Sequence, residues 1–475
     1  MLTQPRQVIT LAGPPEQTWA RATVLVENLN AEAVLWHKGG SATAALGSSF
    51  DAVVLNLHVE FDPDTLAQLA GTIWGGGALI LRVNTDHAPP TDHAARLIVA
   101  PYTAADVTTH LWDRLCKYLV CSDEEAVLQP PEHTESGSDE QTRLVNELVS
   151  QLGTQPPSIL SLTAPRGRGK SAALGLVLKR YTGRVAVTGP TSAATQTLCA
   201  FWGETDTVSI DDLLSAVQAV DLIVVDEAAQ LSIPQLQQLV RTYPAASIIF
   251  STTVDGYEGT GRGYHLKFLS WLANQARPLL RYTLRTPIRW RDADPLEALI
   301  TQALLLDARP LPLATAKDEA LRHQVVACGA LSEDCLRQSF GLLLGAHYRT
   351  TPADLHRLLD APNLTLHVLL MGTVVVAVTL VAKEGVLGED AVRQMSLGGA
   401  RLRGHALAEN LVCHAGEPDA GRLSMIRSVR IATHPEMRRR GLASMLVAKV
   451  HSHHQPDLFG TTFGATAGVL RFRRS

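Results

Sequence analysis

"TAPRGRGKSAALG", residues 163–175, decides how the middle of this chain folds. It nearly fits G-x-x-x-x-G-K-[ST], reading Ala164-Pro-Arg-Gly-Arg-Gly169-Lys170-Ser171 with alanine in place of the first glycine. Its surroundings suit a phosphate-cradling loop: the strand pattern "SILSLT" (158–163) precedes it and the helical pattern "KSAALGLVLKR" (170–180) follows. In such a loop the backbone N–H groups of Gly167, Arg168, Gly169, Lys170 and Ser171 face the phosphates at a helix N-terminus. Lys170 is expected to reach the β- and γ-phosphates, and the Ser171 hydroxyl to ligate magnesium.

A loop of this kind needs an acid at the end of a buried strand. "DLIVVDEAAQL" (221–231) offers Asp226 and Glu227. Asp226 is placed to hold magnesium and Glu227 to polarise an attacking water, which makes Lys170, Asp226 and Glu227 the catalytic candidates. Further strand patterns are "RVAVTG" (184–189), "SIIFSTT" (247–253) and "LLRYTL" (279–284). β-branched runs with helical crossovers predict a parallel sheet covered on both faces. "STTVDGYEGTGRG" (251–263) is placed as a nucleotide-sensing loop, and "TPIRW" (286–290) offers Arg289, either a phosphate contact or a structural ion pair.

Working outward, the pattern predicts an α/β, multidomain chain. Residues 1–128 form an N-terminal α/β domain, with "DAVVLNL" (51–57) and "ALILRV" (78–83) as strands and 63–77 as a helix closed by glycines. "QPPEHTESGSDE" (129–140) reads as a linker, 141–312 as a P-loop, helicase-like ATPase domain, and 313–475 as a third domain. The third domain opens with helical patterns at 333–346 and 352–360. It continues with a hairpin of "TLHVLLM" (365–371) and "TVVVAVTLVA" (373–382) turning near Gly372.

A second cradle closes the chain. "RIATHPEMRRRGLASML" (430–446) carries Arg438-Arg439-Arg440-Gly441-Leu442-Ala443 after the strand "SVRIAT" (428–433). It resembles the [QR]-x-x-G-x-[GA] turn of GNAT-type N-acetyltransferases, so the third domain is expected to carry mixed sheet. Backbone N–H groups at this helix start suit the pyrophosphate of coenzyme A, and Gly441 lets the backbone approach it. Ile431, Ala432 and Thr433 are expected to splay from a neighbouring strand and bond the pantetheine.

The totals agree with a soluble, well-cored protein: 475 residues, 46% hydrophobic and 19% charged. Six cysteines without a Cys-x-x-Cys pair point to reduced thiols in a cytoplasm rather than a disulfide framework or zinc site. No apolar run spans a bilayer, and the N-terminus lacks the signal-peptide pattern. A net charge of −4 means that any nucleic-acid surface is a local patch.

Together these stretches resemble the tRNA(Met) cytidine acetyltransferase family, whose eukaryotic relatives are RNA cytidine acetyltransferases. The likeness rests on residues 50–83, on the P-loop with its alanine, and on "DEAAQL", "STTVDGYEGTGRG" and "TPIRW". "HYRTTPADLHRLLDAPNL" (347–364), "RGHALAENL" (403–411) and the 430–446 stretch complete it. The resemblance implies acetylation of N4 of the wobble cytidine in the anticodon of tRNA(Met), using acetyl-CoA with ATP or GTP hydrolysis and Mg2+. It implies that Gln141 reads the adenine. The run Gly167, Arg168, Gly169, Lys170, Ser171, Ala172, Ala173, Leu174, Gly175 and Leu176 would hold the phosphates with Arg289. Ile431 to Thr433 and Arg438 to Ser444 would hold acetyl-CoA.

The sequence departs from the family at "FGATAGVLRFRRS", where Gly468 and Leu470 stand where an acid and a tryptophan are usual. Family members usually run further. The expectation is therefore acetyl-CoA binding with poor acetyl transfer to tRNA, or none, by these 475 residues alone. Two rival readings are a protein lysine acyltransferase on the same scaffold and a non-catalytic, ATP-dependent RNA-binding remnant. "HSHH" (451–454) is read as a polar helix end rather than a metal site, and His405 as either a substrate contact or a structural histidine. Arg438–Arg440 with Arg471, Arg473 and Arg474 are candidate RNA phosphate contacts.

Overall fold

The computed structural model describes residues 4–29, 31–42, 45, 48–119, 137–154, 156–253, 264–313, 319–346, 350–464 and 470–471. Several expectations fall outside these residues: most of the 129–140 linker, residues 254–263 of the sensing stretch, 347–349, Gly468, Arg473 and Arg474. The chain divides into two compact units. One comprises Met1–Thr91, Arg114–Asp307 and Tyr348–Ala353; the other comprises Asp92–Asp113, Ala308–His347 and Asp354–Ser475.

The first unit holds two parallel sheets. The N-terminal sheet has four strands in the order β1-β4-β3-β2: β1 is Gln7–Ala12, β2 Val34–His37, β3 Phe50–Asn56 and β4 Ile73–Val83. Ala52–Leu55 and Ala78–Leu81 are buried, as strands covered on both faces must be. Here the 63–77 expectation needs correction, because the helix is Pro63–Ala70 and the chain enters β4 at Ile73. Gly77 is a close-approach residue within the strand. A Cβ there would lie 2.5 Å from the Asp51 carbonyl oxygen, beside a register shift between Phe50 and Ala52.

The second sheet runs β6-β7-β8-β5-β9, all parallel. Its strands are β5 Ile159–Ala164, β6 Val185–Thr188, β7 Leu222–Val225, β8 Ser247–Thr253 and β9 Leu279–Thr283. Alternate residues feed two cores. Ile223, Val225, Ile248 and Phe250 enter one; Leu222, Val224 and Ile249 enter the other with Leu174 and Val177 of the P-loop helix.

The second unit carries a five-stranded mixed sheet, β10-β11-β12-β13-β14. Strands β10 Leu321–Ala327, β11 Leu364–Met371, β12 Val374–Gly385 and β13 Ser424–Thr433 pair antiparallel. Strand β14, Leu458–Gly460, joins β13 in parallel. The β11–β12 hairpin turns at Gly372 with φ +60°, as expected. Helix Glu333–Ala346 is tied to it by Gln338, whose amide donates to the Thr373 carbonyl (3.1 Å) and accepts from the Val375 N–H (2.9 Å).

Candidate functional sites

Because its strands are parallel, the second sheet of the first unit gathers the loops after β5, β7 and β9 and the end of β8 on one edge, where α/β folds take ligands. The β5 loop turns through Gly167 (φ +75°) and Gly169 (φ +72°) into helix Lys170–Leu178. The N–H groups of Lys170, Ser171 and Ala172 lie in the first helical turn and precede its first i→i−4 bonds. The Ala173 N–H already bonds the Gly169 carbonyl (2.9 Å). Ala173 and Leu174 are core residues, and Leu176 packs against that core. Gly175 serves packing, since a Cβ there would lie 2.4 Å from the Leu198 carbonyl oxygen.

Asp226 follows β7 and is fully buried. Its Oδ1 accepts from the Glu227 N–H (3.0 Å), while Oδ2 has no hydrogen-bond partner. Burial, and then the Glu227 charge, push its carboxyl up to about 6, against the Ser171 and Ser251 hydroxyls and Lys170, which pull it down. A buried carboxylate oxygen without a donor, facing a serine hydroxyl, fits one magnesium ion whose other ligands are phosphates and water. Among the described residues no cluster of three or more His, Cys, Asp or Glu is arranged for a metal, and this type of site needs none.

Glu227 sits in the left-handed region (φ +49°), a costly conformation for a non-glycine residue and one that clusters at functional sites. Thr253, at the end of β8, links the pair. Lys170 Nζ donates to its Oγ1 (2.9 Å), and that hydroxyl donates to Glu227 Oε1 (3.1 Å), with Lys170 and Glu227 themselves 3.9 Å apart. Lysine, threonine and carboxylate thus converge at the mouth of the loop.

The remaining candidates support the loop. Gln141 donates from Nε2 to the Gly169 carbonyl (2.8 Å). The Arg168 side chain points away from the loop mouth into a two-pronged ion pair with Glu297 (2.7 and 3.2 Å) and bonds the Arg285 carbonyl (3.1 Å), leaving its backbone to the loop. Trp290 lies over Gly167, where a Cβ would meet its ring at 2.4 Å, and its indole donates to Glu297 (3.0 Å). Arg289 donates to the Gly71 carbonyl (3.3 Å). Burial, then Arg166 and Arg6, lower its pKa to about 10, so it is a cation crowded by other cations. Thr253 belongs to the 251–263 stretch expected to sense nucleotide, whereas Glu297 carries no sequence signal.

In the second unit β13 pairs with β14 only over Met425–Arg427. Beyond it the edge of Ser428 to Thr433 away from β12 has no strand partner among the described residues. A register shift at Leu380/Val381 leaves Val429 as an extra residue in β13. Ile431, Ala432 and Thr433 lie on this opened stretch. The chain then passes Arg438, Arg439 (φ +62°), Arg440 and Gly441 (φ +76°) into helix Leu442–His454, with Ala443 and Ser444 in its first turn. Two left-handed residues before a helix start turn successive N–H groups towards one point. The three arginines are exposed.

His405 is structural: Nδ1 accepts from the Gly385 N–H (3.1 Å) and Nε2 donates to the Ala100 carbonyl (2.7 Å). The "HSHH" helix end packs its last residue into a chain of imidazoles, His323–His367–His454, at 3.1 and 2.9 Å.

One chain therefore carries a P-loop site with its acid pair and an acetyltransferase-type opened strand with its amide turn. Comparison with known proteins agrees with both. Residues 4–129 match the N-terminal domain of tRNA(Met) cytidine acetyltransferase TmcA, residues 161–307 the helicase domain of RNA cytidine acetyltransferase NAT10/TcmA, and residues 338–462 GNAT acetyltransferase 2. The protein is thus an acetyltransferase fused to a helicase-type P-loop domain. It belongs to the tRNA(Met) cytidine acetyltransferase TmcA family.

The TmcA of Nitrosococcus halophilus is 35% identical over 98% of this chain and 71% of its own length. That of Haloarcula marismortui is 31% identical over 98% and 70%, and that of Citrobacter koseri 32% over 90% and 65%. An aminoglycoside acetyltransferase, meta-AAC0020, overlaps 32% of this chain at 12% identity, with a TM-score of 0.21. No helix among the described residues is long and apolar enough to cross a membrane.

Proposed function

We propose that this chain acetylates N4 of the wobble cytidine of tRNA(Met), drawing acetyl from acetyl-CoA and coupling the work to ATP or GTP hydrolysis in the cytoplasm. On this reading residues 1–128 form the N-terminal domain, 141–312 the ATPase and 313–475 the acetyltransferase. The observation that carries the proposal is the opened stretch of β13 leading into the left-handed turn at Arg439–Gly441, in a chain that also holds the Lys170–Thr253–Glu227 site. Family membership supports the RNA acceptor.

In the ATPase site the loop amides and Lys170 bind the phosphates, with Arg289 as a further cation. Ser171 and Asp226 would hold magnesium, which neutralises phosphate charge. Glu227 orients and polarises water for attack on the γ-phosphate. Gln141, beside the loop, is assigned to the adenine.

In the acetyltransferase site the Arg438–Ser444 amides take the pyrophosphate, and Ile431–Thr433 align the pantetheine and thioester. The cytosine amine is a weak nucleophile because its lone pair is delocalised into the ring, so orientation and oxyanion stabilisation supply much of the rate. The N4–carbonyl bond forms, the carbonyl–sulfur bond breaks, and the proton leaving N4 balances the departing thiolate. Thioester transfer needs no phosphate energy, so nucleotide turnover is assigned to remodelling the RNA and splaying the base. The test is mass spectrometry of tRNA(Met) from a strain lacking this protein: loss of N4-acetylcytidine supports the reading, and its persistence contradicts it.

A further inference from the structure

We infer that Arg357, together with Arg403 and Arg430, forms an anion site on the acetyltransferase unit that grips a backbone phosphate of the RNA acceptor. The inference deepens the proposed function and rests on it.

The geometry starts at helix Pro352–Asp360. Asp354 and Arg357 are three residues apart and so share a face. Asp354 forms an ion pair with Arg430 (2.8 Å), which places Arg357 next to the residue immediately before Ile431–Thr433. Arg427, at the last β13 position paired with β14, is held by Glu384 in a buried ion pair. Arg401 takes Glu409 (3.4 Å), and Arg403 donates to the Ala95 carbonyl (3.1 Å).

The carboxylates of this region are thereby assigned: Asp354 to Arg430, Glu384 to Arg427, Glu409 to Arg401. Among the described residues, neither Arg357 nor Arg403 has a carboxylate within ion-pair distance, and both are exposed. The electrostatics agree. Although the Arg357 side chain reaches solvent, the packing around it first, and then Arg427, Arg430 and Arg403, lower its pKa, with Asp354 opposing them. Guanidiniums this crowded repel one another, and a shared anion removes the repulsion. In a chain of net charge −4 such a patch is a local exception.

Guanidinium forks suit phosphate oxygens. The phosphate could in principle belong to acetyl-CoA or to RNA, and the order along β13 favours RNA. The coenzyme's pyrophosphate is assigned to Arg438–Ser444, beyond the C-terminal end of the strand. The arginine cluster stands on the other side of Ile431–Thr433, where an acceptor approaches the thioester.

The test uses the full chain with Arg357→Ala and Arg357→Glu, measuring tRNA(Met) binding by anisotropy over a salt series and acetyl-CoA binding by calorimetry. For Arg357→Ala we expect roughly tenfold weaker tRNA binding, with the salt slope reduced by about 1. Arg357→Glu should lose more. Acetyl-CoA affinity should stay within about twofold, since the substitution leaves the cofactor's amide turn intact. Arg403→Ala serves if an Arg357 variant fails to fold. Wild-type tRNA affinity and slope in folded variants would overturn the inference, as would loss of acetyl-CoA binding alone, which would assign the cluster to the cofactor's phosphates. A wild-type chain that neither binds nor acetylates tRNA(Met) would instead fail the proposed function itself.

Discussion

Asp226→Asn should make the protein without nucleotide more stable and its magnesium-nucleotide complex weaker. In the native chain burial and Glu227 raise the carboxyl from 3.8 to about 6, so ionising it opposes folding. The folded value exceeds the unfolded one. The stabilising contribution of the protonated form is therefore complete below 3.8 and is lost as pH rises through about 6. A rise of this size corresponds to at most about 3 kcal/mol at pH 7, which asparagine recovers in part by being neutral. Binding runs the other way, because magnesium needs the anion. With the carboxyl at about 6, roughly nine-tenths of sites are ionised at pH 7, half at pH 6 and about one-tenth at pH 5. Affinity for a magnesium-nucleotide should therefore fall about tenfold between pH 8 and pH 5, breaking near 6. Calorimetric titration with a non-hydrolysable analogue reads this, and Asp226→Asn supplies the curve due to the nucleotide's own phosphates. A break shared by the wild type and Asp226→Asn, or no gain in the variant's unfolding midpoint, would refute the reasoning.

Lys170→Ala should abolish ATP hydrolysis and leave acetyl-CoA affinity nearly unchanged, because Lys170 and residues 431–444 belong to different compact units; equal loss of both in binding assays contradicts this. Glu227→Gln should bind nucleotide normally but hydrolyse it at least tenfold more slowly, since orientation survives and water activation does not; wild-type turnover would remove its role. Gly167→Ala forces a methyl to 2.4 Å from the Trp290 ring in a left-handed conformation, so it should cost about 1–2 kcal/mol or more and weaken nucleotide binding, read by melting and calorimetry. His367 is lowered to about 3 and His454 to about 4, first by burial and then by neighbouring histidines, with Lys383 adding to His454. Burial first, and then Lys449 and His453, also lower His323. Their neutral forms stabilise the fold above about pH 6.5, and that stability is lost as pH falls towards 4. Denaturant midpoints at pH 7, 6 and 5 should drop in the wild type and drop less in His454→Gln.

Strands β5, β7 and β8 of the P-loop sheet were legible because strands buried on both faces must be continuous apolar runs, whereas the edge strand β9 is only partly buried and showed through its short run of leucines. The β11–β12 hairpin was legible from two such runs around Gly372. The glycines at 75–77 misled because a glycine run also marks a helix end; only the Asp51 carbonyl, brought alongside by β3, shows why Gly77 needs no side chain. Strand β10 escaped notice because "LRHQVVA" at a sheet edge is largely exposed and shows no clear alternation. The two turns into helices were legible because a left-handed residue at a helix start favours glycine, here Gly169 and Gly441. Their supports were not. Glu297 reaches Arg168, and Asp354 reaches Arg430, across gaps in sequence that only the fold closes.

The most direct test of the central claim is single-turnover transfer from isotopically labelled acetyl-CoA to tRNA(Met) with magnesium-ATP, followed by nucleoside mass spectrometry. The account predicts label on N4-acetylcytidine, at whatever rate, and none without tRNA. Label confined to protein lysines or to free acetate, with the RNA unmodified, would contradict it.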